Sequence, residues 1–492
     1  MGPRFLIALV GASLVIGCGG SSPERTRMGT GGNQDGGLPD GGSGGSAGGA
    51  AGGGADGGAG GGTGHVIYAG PSGLDTNPGT ASSPFRTLKK AVSVAVSGDT
   101  IHLYDGTYQA GPALETWGYV LPANVTIVGQ STAGTILDGQ AMSFDGIDAP
   151  SALTLQSLTI ENFQNGVDLK TPSSTVALTD VAIADSANAG IYVEGPAAGS
   201  TVTIAGSKTA ITQTAATTGV ELALVANATV TMTGGSVTTG GDAFHFYGQC
   251  PGSALNISGT TITQTAHSGT YYAVYNFPPS PNTTPVAISI AGATIAGTVY
   301  DNDSTSTLTI TGSTFTEVDD SGDGVDFYGK TLTISGNTTI TMTASGSTPN
   351  TWRGVTYHSV AGYPSTMSLD HLTITGGGTA IIQDGFTGSA KLRNTTITMQ
   401  ADDGYSINGG QLDLGTTGDP GNNALGLPTS GGSTWFALDI FAAGTASVTV
   451  TSSQSTIGGS IPAAAVIAPT GTTYAQSGQV YLVSPGSTLT FE

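Results

Sequence analysis

The chain has 492 residues, of which 80 are glycine and only 9% are charged, and its formal net charge is −21. Such a length allows several domains or one long array of repeats. The acidic balance argues against nucleic acid and against an anionic membrane surface as partners, because both bind clustered lysine and arginine.

The first 18 residues predict a lipoprotein signal peptide. One arginine precedes an apolar run that is too short to span a membrane and is followed by small residues, as in an export signal. The run ends in Val-Ile-Gly-Cys, which resembles the bacterial lipobox. The resemblance implies that Cys18 is acylated and anchors the protein to a membrane, with an outer-membrane or cell-surface location. An ordinary signal peptide with a chance cysteine is the alternative.

Residues 19–64 predict a disordered linker. Nearly half of them are glycine, and the rest are mainly serine, alanine and aspartate, so nothing there can form a core. We expect this segment to tether a folded part that begins near His65.

A short amphipathic helix is predicted before the first strand patterns. Its apolar side, at spacings of three, four and three, consists of Phe85, Leu88, Val92 and Ala95. Ser83 is expected to cap this helix and Pro84 to occupy its first position. Gly-Asp turns and short strand patterns follow at once.

The rest of the chain repeats a two-part pattern about every 20–35 residues. One part alternates apolar and polar residues, as in "LTLQSLTI" from Leu153 and "LTITGSTF" from Leu308. The other is a small residue followed by apolar-x-apolar, as in "GVDL" at Gly166 and "GIYV" at Gly190. Short strands joined by glycine-rich turns at this period are typical of a β-solenoid, with the helix capping its open first coil. An antiparallel sandwich is the alternative.

One block of the sequence resembles a known family. The segment "SGLDTNPGTASSPFRTLKKAVSVAVSGDTIHLYDGTY" is similar to the N-terminal part of right-handed parallel β-helix proteins of the pectate-lyase-like superfold. More narrowly, it resembles a bacterial "domain of unknown function" family found in surface lipoproteins, and "DLGTTGDPGNNAL" near Asp413 resembles that family's C-terminal part. The resemblance implies an all-β, single-stranded right-handed parallel β-helix over residues 65–440, with C-terminal coils and a cap over 441–492. It implies no reaction.

The motifs of the superfold's polysaccharide-degrading enzymes are absent or incomplete. Neither of the two sequence runs shared by pectate lyases occurs, and the polygalacturonase set is reduced to paired aspartates. "GVDFYG" at Gly324 is similar to a pectin methylesterase tripeptide, but its internal copy has His245 where Asp326 stands, so we interpret it as coil structure. We therefore predict a non-catalytic glycan-binding, structural or adhesive module. A polysaccharide hydrolase, or less readily a lyase, is the alternative.

Calcium is the one cofactor that the sequence suggests. The segment "EVDDSGDGVDF" supplies Asp319, Asp320 and Asp323 as candidate ligands, since Ca²⁺ prefers carboxylate and carbonyl oxygens. Ser321 and Lys330 stand where an EF-hand needs ligands, so the segment is not an EF-hand. A solvated acidic turn is the alternative.

The repeat itself predicts one outward column of side chains. In the small-apolar-x-apolar part, the apolar residues point inward and x points outward, so that x residues of stacked coils lie about 4.8 Å apart. The column contains Asp168, Tyr192, Glu221, His245, Tyr275, Tyr300, Asp326, Thr356 and Ser406, with a poorer register at the two later tyrosines and beyond.

This column supplies the candidate site residues. Asp168, Tyr192, Tyr275 and Tyr300 are candidates for binding a neutral polysaccharide, because aromatic rings stack on sugars and carboxylates accept hydrogen bonds from hydroxyls. Glu221, His245 and Asp326 are candidates for acid–base catalysis. Asp168 and Glu221 lie two coils apart, nearer the carboxylate separation of inverting than of retaining glycosidases. A merely solvated outer face is the alternative, since outward strand positions must be polar in any case.

Overall fold

The computed structural model describes residues 64–111, 114–141, 143–266, 270–316, 323–342, 353–360, 365–385, 387–398, 400–429, 436–441, 448–463, 465–467, 474–476, 479–483 and 487–492. Residues Gly62–Glu492 form one compact unit with a continuous hydrophobic core. The predicted signal peptide with Cys18, the linker, Asp319 and Asp320 lie outside the described residues. Within the described part, no helix is both long and apolar enough to cross a membrane.

The chain winds through three long sheets of mostly parallel strands, and from Val125 to Phe441 each coil adds one strand to each sheet. Sheet 1 consists of Val66–Ala69, Thr100–Leu103, Val125–Gly129, Ala152–Gln156, Thr175–Thr179, Thr201–Ala205, Thr229–Thr233, Ala254–Ser258, Ala287–Ala291, Thr307–Thr311, Thr331–Ser335, Thr366–Asp370, Ser389–Arg393, Gly410–Leu414, Val448–Ser452, Ala465–Ile467 and Thr488–Phe491. Sheet 2 consists of Gly106–Gln109, Thr135–Asp138, Thr159–Glu161, Ala182–Ala184, Ala210–Gln213, Ser236–Thr239, Thr261–Gln264, Thr294–Ala296, Thr314–Thr316, Thr338–Met342, Leu372–Gly376, Thr396–Thr398, Ala424–Leu425 and Thr456–Ile457. Sheet 3 consists of Ile147–Ala149, Asn165–Leu169, Ala189–Glu194, Thr218–Ala223, Phe244–Tyr247, Val274–Asn276, Val299–Asp301, Asp323–Phe327, Arg353–His358, Ile381–Asp384, Tyr405–Ile407, Leu438–Phe441, Tyr474–Gln476 and Val480–Val483. The predicted single-stranded right-handed parallel β-helix is confirmed.

The alternation of apolar and polar residues produces the core. In the strand Ala254–Ser258, for example, Leu255 and Ile257 are buried whereas Asn256 is half-buried on the outside. The same alternation recurs on all three sheets, so the inward side chains stack from coil to coil into a single core.

The small residue of the repeat lies at the corner between sheets 2 and 3. A Cβ atom built on Gly190 would lie 2.7 Å from the carbonyl oxygen of Gly219 in the next coil, and one on Gly354 would lie 2.7 Å from that of Ala380. Such approaches are shorter than real Cβ contacts allow. Glycine is therefore favoured where the coils stack this closely, and the small residue alanine replaces it in some other coils, as at Ala243 and Ala380.

The helix at the N-terminal end is α1 (Leu88–Val94), which begins later than predicted. Thr87, not Ser83, is its N-cap and accepts a hydrogen bond from the Lys90 backbone N–H. Ser83 instead ends a tight turn that begins at Thr80, and Gly79 and Phe85 hydrogen-bond to the first strand. Leu88 and Ala91 are buried in the core at this end. The carboxylate of Glu115, which the sequence did not indicate, accepts from the N–H groups of Leu88 and Lys89 at 2.7 and 3.0 Å.

The C-terminal end is closed by antiparallel strands. Parallel coils continue beyond residue 441, since Leu438–Phe441 pairs in parallel with Val480–Val483. The strand Tyr474–Gln476 then pairs antiparallel to Val480–Val483, and Ala465–Ile467 pairs antiparallel to Thr488–Phe491.

Candidate functional site

The outer face of sheet 3 carries the predicted column in continuous register. The paired residues, in order, are Asp148, Asp168, Tyr192, Glu221, His245, Tyr275, Tyr300, Asp326, Thr356, Ile382, Ser406 and Asp439. The register does not slip at the two later tyrosines, where a poorer register was expected. Ile382 lies between Thr356 and Ser406, and the sequence pattern missed it because an apolar side chain stands where an outward polar residue was expected.

Asp168 lies at the N-terminal end of the column and is covered by Lys170. The Lys170 Nζ lies 3.0 Å from Asp168, 2.7 Å from Asp145 and 3.0 Å from Asp148. Burial raises the pKa of Asp168 to about 8, although the Lys170 ammonium opposes this shift. With only 1% of its surface exposed, Asp168 serves this ion-pair cluster and cannot contact a ligand while Lys170 is in place.

The same three aspartates are the residues best placed to hold a cation. Their ligand oxygens lie within 4.8 Å of one another. Carboxylates in such a group suit calcium. The Lys170 ammonium already pairs with all three, so a metal ion would have to displace this side chain.

A second group, the central cluster, consists of Glu221, Asp242 and His245. Glu221 and His245 are register partners on adjacent coils, and the Asp242 Oδ2 lies 3.5 Å from the His245 Nδ1. Burial raises the pKa of Glu221 and that of Asp242 to about 7, and it lowers the pKa of His245 to about 4. Near neutral pH the histidine is therefore neutral, and both carboxyl groups are partly protonated.

An aromatic ladder follows the central cluster along the axis. It consists of Tyr272, Tyr275, Phe277, Tyr300 and Tyr328. The Tyr272 ring centroid lies 4.8 Å from that of Tyr275 and 4.9 Å from that of Tyr300, and Tyr300 lies 6.1 Å from Tyr328. The four tyrosines are half-buried, and Phe277 is 46% exposed. Together they form a continuous apolar surface with phenol groups.

Only Tyr275 and Tyr300 of this ladder were predicted. Tyr272 lies at the corner before its strand, whereas Phe277 and Tyr328 each follow the end of a strand by one residue. Their clustering depends on how the corners turn, which the strand pattern does not describe. The dense aromatic run "YYAVYNF" was the available signal.

Histidine side chains border the ladder at both ends. His245 lies 4.9 Å from Tyr275, and His358 stacks on Tyr328 with ring centroids 3.9 Å apart. His358 also approaches Asp326 at 3.2 Å and Asp384 at 3.6 Å. Although burial lowers the pKa of His358, these carboxylates raise it to about 9. Asp326 is thus held in an ion pair with a charged histidine.

Asp323 is the one predicted calcium ligand among the described residues. It is buried, its carboxylate lies 3.9 Å from Arg353, and its pKa is raised to about 7 by burial.

The outer face of sheet 2 provides a contrast within the same coils. Over six consecutive coils its outward residues form two columns, which we call the threonine face: Thr261, Thr263, Thr294, Ala296, Thr314, Thr316, Thr339, Thr341, Thr373, Thr375, Thr396 and Thr398. None of these side chains is aromatic or charged. The requirement for outward polarity is therefore met by threonine alone on this face.

Fold and site together define a right-handed parallel β-helix with one aromatic and titratable outer face. Within it, residues 71–268 match the model of DUF1565, a family of proteins of unknown function. This match confirms, for that segment, the resemblance found in the sequence.

Individual proteins are similar either to a short part of the chain or to most of it at low sequence identity. The uncharacterized protein YwoF of Bacillus subtilis (strain 168) is 30% identical over 131 residues, which are 24% of this chain and 28% of the length of that relative. Among solved structures, pectate lyase Pel9A is 13% identical to this chain. The match covers 80% of this chain and 79% of the pectate lyase chain, with a TM-score of 0.29. Pectin methylesterase PemA from Erwinia chrysanthemi is 11% identical to this chain. The match covers 65% of this chain and 80% of the methylesterase chain, with a TM-score of 0.20.

Proposed function

We propose that the protein is a lipid-anchored bacterial cell-surface β-helix that binds a neutral glycan on the outer face of sheet 3, without catalysis. The observation that carries this proposal is the difference between outer faces. The three coils that present only threonine and alanine outward on sheet 2, from Thr261 to Thr316, present the aromatic ladder on sheet 3, and the central cluster lies in the two coils before them.

The chemistry of the ladder suits a sugar chain. Tyrosine and phenylalanine bury apolar C–H faces of sugars and leave phenol groups for hydrogen bonds. Glu221 lies one coil before His245, so a carboxyl group that can accept from sugar hydroxyls stands before the first rings of the ladder. A net charge of −21 opposes the binding of an acidic polysaccharide, which favours a neutral one.

A direct test incubates the fragment Gly62–Glu492, which contains the whole described core, with neutral and acidic polysaccharides. Binding is measured by affinity electrophoresis, and products are sought by mass spectrometry. We expect retardation by at least one neutral polysaccharide and no cleavage products. Retardation by acidic polysaccharides alone would contradict the proposed ligand class.

A polysaccharide hydrolase is the second candidate, and the central cluster favours it. Carboxyl groups with a pKa of about 7 are suited to general acid catalysis at neutral pH. Water-added oligosaccharides that form with the native fragment, and not with Glu221→Gln, would establish this alternative. Unsaturated products would instead establish a lyase.

The membrane anchor rests on the lipobox-like sequence alone. Cys18→Ala is expected to release the protein from the membrane fraction of the cells that produce it. Continued tight association with membranes after this change would contradict acylation at Cys18.

Calcium binding is a separate proposal, and the proposed glycan binding does not require it. If the segment that contains Asp319, Asp320 and Asp323 binds Ca²⁺, calcium raises the Tm of the native protein and Asp323→Ala abolishes the rise. A rise that survives Asp323→Ala but is enhanced by Lys170→Ala would place the cation at Asp145, Asp148 and Asp168.

A further inference from the structure

The threonine face is a second surface with a periodic chemistry that glycan binding does not use. Its inward residues are fully buried: Ile262, Ile295, Phe315, Ile340, Ile374 and Ile397. These anchors hold each outward pair in place, and the register continues without a slip across all six coils. The outward groups are therefore fixed on a regular grid.

The grid has two repeat distances. Stacked coils lie about 4.8 Å apart, and successive outward residues of one strand lie about 6.6–6.8 Å apart. Hydroxyl groups of neighbouring coils are aligned, since the Oγ1 atoms of Thr314 and Thr339 are 3.4 Å apart and those of Thr375 and Thr398 are also 3.4 Å apart. Each threonine adds a methyl group beside its hydroxyl, so the face alternates hydrogen-bonding and apolar groups in two dimensions.

The chemistry of this face excludes the usual partners. It lacks the aromatic and arginine anchors on which protein partners bind, the rings on which sugars stack and the basic groups that bind nucleic acid. It also has no charge, although the whole chain has a net charge of −21. A ligand that matches it must recognise only spacing, hydroxyl groups and methyl groups.

β-Branched threonine is favoured in strands generally, but this preference does not explain the regularity of the face. On sheet 1 the outward columns of the same coils are mixed. Threonines such as Thr307, Thr309 and Thr331 stand there beside alanine, serine and asparagine and beside the charged Asp370, Lys391 and Arg393. Those mixed columns provide enough polarity for solubility. Two nearly unbroken threonine columns therefore indicate that a regular spacing of threonine side chains is needed, and not polarity alone.

We propose that the threonine face binds crystalline water. Ice presents oxygen atoms on its prism plane at two repeat distances close to those of the grid. Threonine hydroxyls and water ordered around the methyl groups would continue that lattice, and the lack of charge avoids a tightly held liquid hydration shell. The protein would thereby adsorb to ice at the cell surface and slow its recrystallisation.

The experiment uses the fragment Gly62–Glu492 in cold-stage microscopy of polycrystalline ice, together with partition of the fluorescently labelled fragment into a slowly growing ice crystal. The native fragment is expected to be incorporated into ice and to stop the coarsening of grains. Exclusion of the native fragment from ice would overturn the proposal without the need for any variant.

Matched variants locate the activity. Thr314→Tyr with Thr339→Tyr places bulky rings in the centre of the threonine face and is expected to abolish both effects. Thr309→Tyr with Thr333→Tyr places the same rings on sheet 1 in the same two coils and is expected to retain them. Equal Tm values of the two double variants exclude misfolding as the cause. Retention of ice binding by the sheet 2 variant would refute the assignment. Tyr275→Ala distinguishes ice binding from glycan binding, because this change should leave ice binding unchanged.

Discussion

The outer faces of sheets 2 and 3 are built by the same coils, yet they differ completely in chemistry. In both sheets most inward residues are aliphatic or aromatic and fully buried, and the polar inward residues are hydrogen-bonded, as Asn276 is to Asp301. Outward, in the three coils from Thr261 to Tyr328, sheet 2 presents threonine and one alanine, while sheet 3 presents the aromatic ladder and Asp326. Packing therefore determines the inside of this molecule and leaves the outside free, so the contrast between its faces is where information about function lies.

The largest effect, a loss of stability, is expected for changes inside the core, which the comparison of the outer faces does not include. Phe246→Ala removes a fully buried ring from sheet 3 and should lower the free energy of unfolding by about 3–5 kcal/mol. Its neighbour Tyr247 is 54% exposed, so Tyr247→Ala should cost much less. Thermal unfolding of both variants measures the difference. Equal losses would contradict the inward and outward assignment of this strand.

Titration of the central cluster is the next largest effect. Burial raises the pKa of Glu221 from 4.5 to about 7, so between these values the folded state holds a proton that the unfolded chain has lost. This stabilising contribution is present at low pH and is lost as the pH rises through about 7. Glu221→Gln should therefore remove roughly 2 kcal/mol of the decline in stability between pH 4.5 and 7, measured by denaturant unfolding.

His245 provides a control of opposite sign. Burial lowers its pKa from 6.5 to about 4, so its contribution to stability is present above pH 6.5 and is lost as the pH falls through about 4. His245→Gln should make the protein less sensitive to acid in that range. A change of the same sign as that of Glu221→Gln would show that the two groups do not titrate as described.

Glycan binding sharpens the comparison between the faces. Tyr275→Ala and Tyr300→Ala should each weaken binding by about 0.5–1.5 kcal/mol, or roughly 2- to 12-fold in Kd, because each removes one ring from the aromatic ladder. Thr294→Ala, in the same coil as Tyr300 but on sheet 2, should leave Kd unchanged. Isothermal titration with the polysaccharide found in the panel provides the values, and an equal loss in all three variants would remove sheet 3 as the binding face.

The smallest effect is expected on the threonine face. Thr373→Ala replaces an exposed side chain and should change the free energy of unfolding by less than about 0.5 kcal/mol. Its binding to the polysaccharide should equal that of the native protein. A larger loss of stability, measured by denaturant unfolding, would mean that the threonines contribute to folding and that their regularity has a structural origin.

Much of the fold could be predicted from the sequence, because a repeated local pattern determines it. Alternation sets which side chain faces inward, and coils of similar length keep the pattern in register, so the order from Asp168 to Thr356 follows from the sequence. The start of α1 could not be predicted, since it depends on Glu115, whose carboxylate reaches the helix N–H groups from 26–27 residues away.

The candidate site was predictable only in outline. The column was identified, but the roles of its members depend on residues outside the repeat. Lys170 covers Asp168, and His358 pairs with Asp326, so neither carboxylate is as accessible as its place in the column suggested. Corner residues such as Tyr272 complete the ladder, but they lie outside the strands, so the alternation pattern does not predict whether their side chains point inward or outward.

The two closed ends of the array have a consequence for how such a protein can change over time. Each interior coil pairs only with its two neighbours, whereas α1 and the antiparallel strands Ala465–Ile467 and Tyr474–Gln476 complete the ends. Duplication or loss of an interior coil therefore lengthens or shortens the stack without changing either end. Such changes in coil number can tune the reach of the surface and the size of its faces.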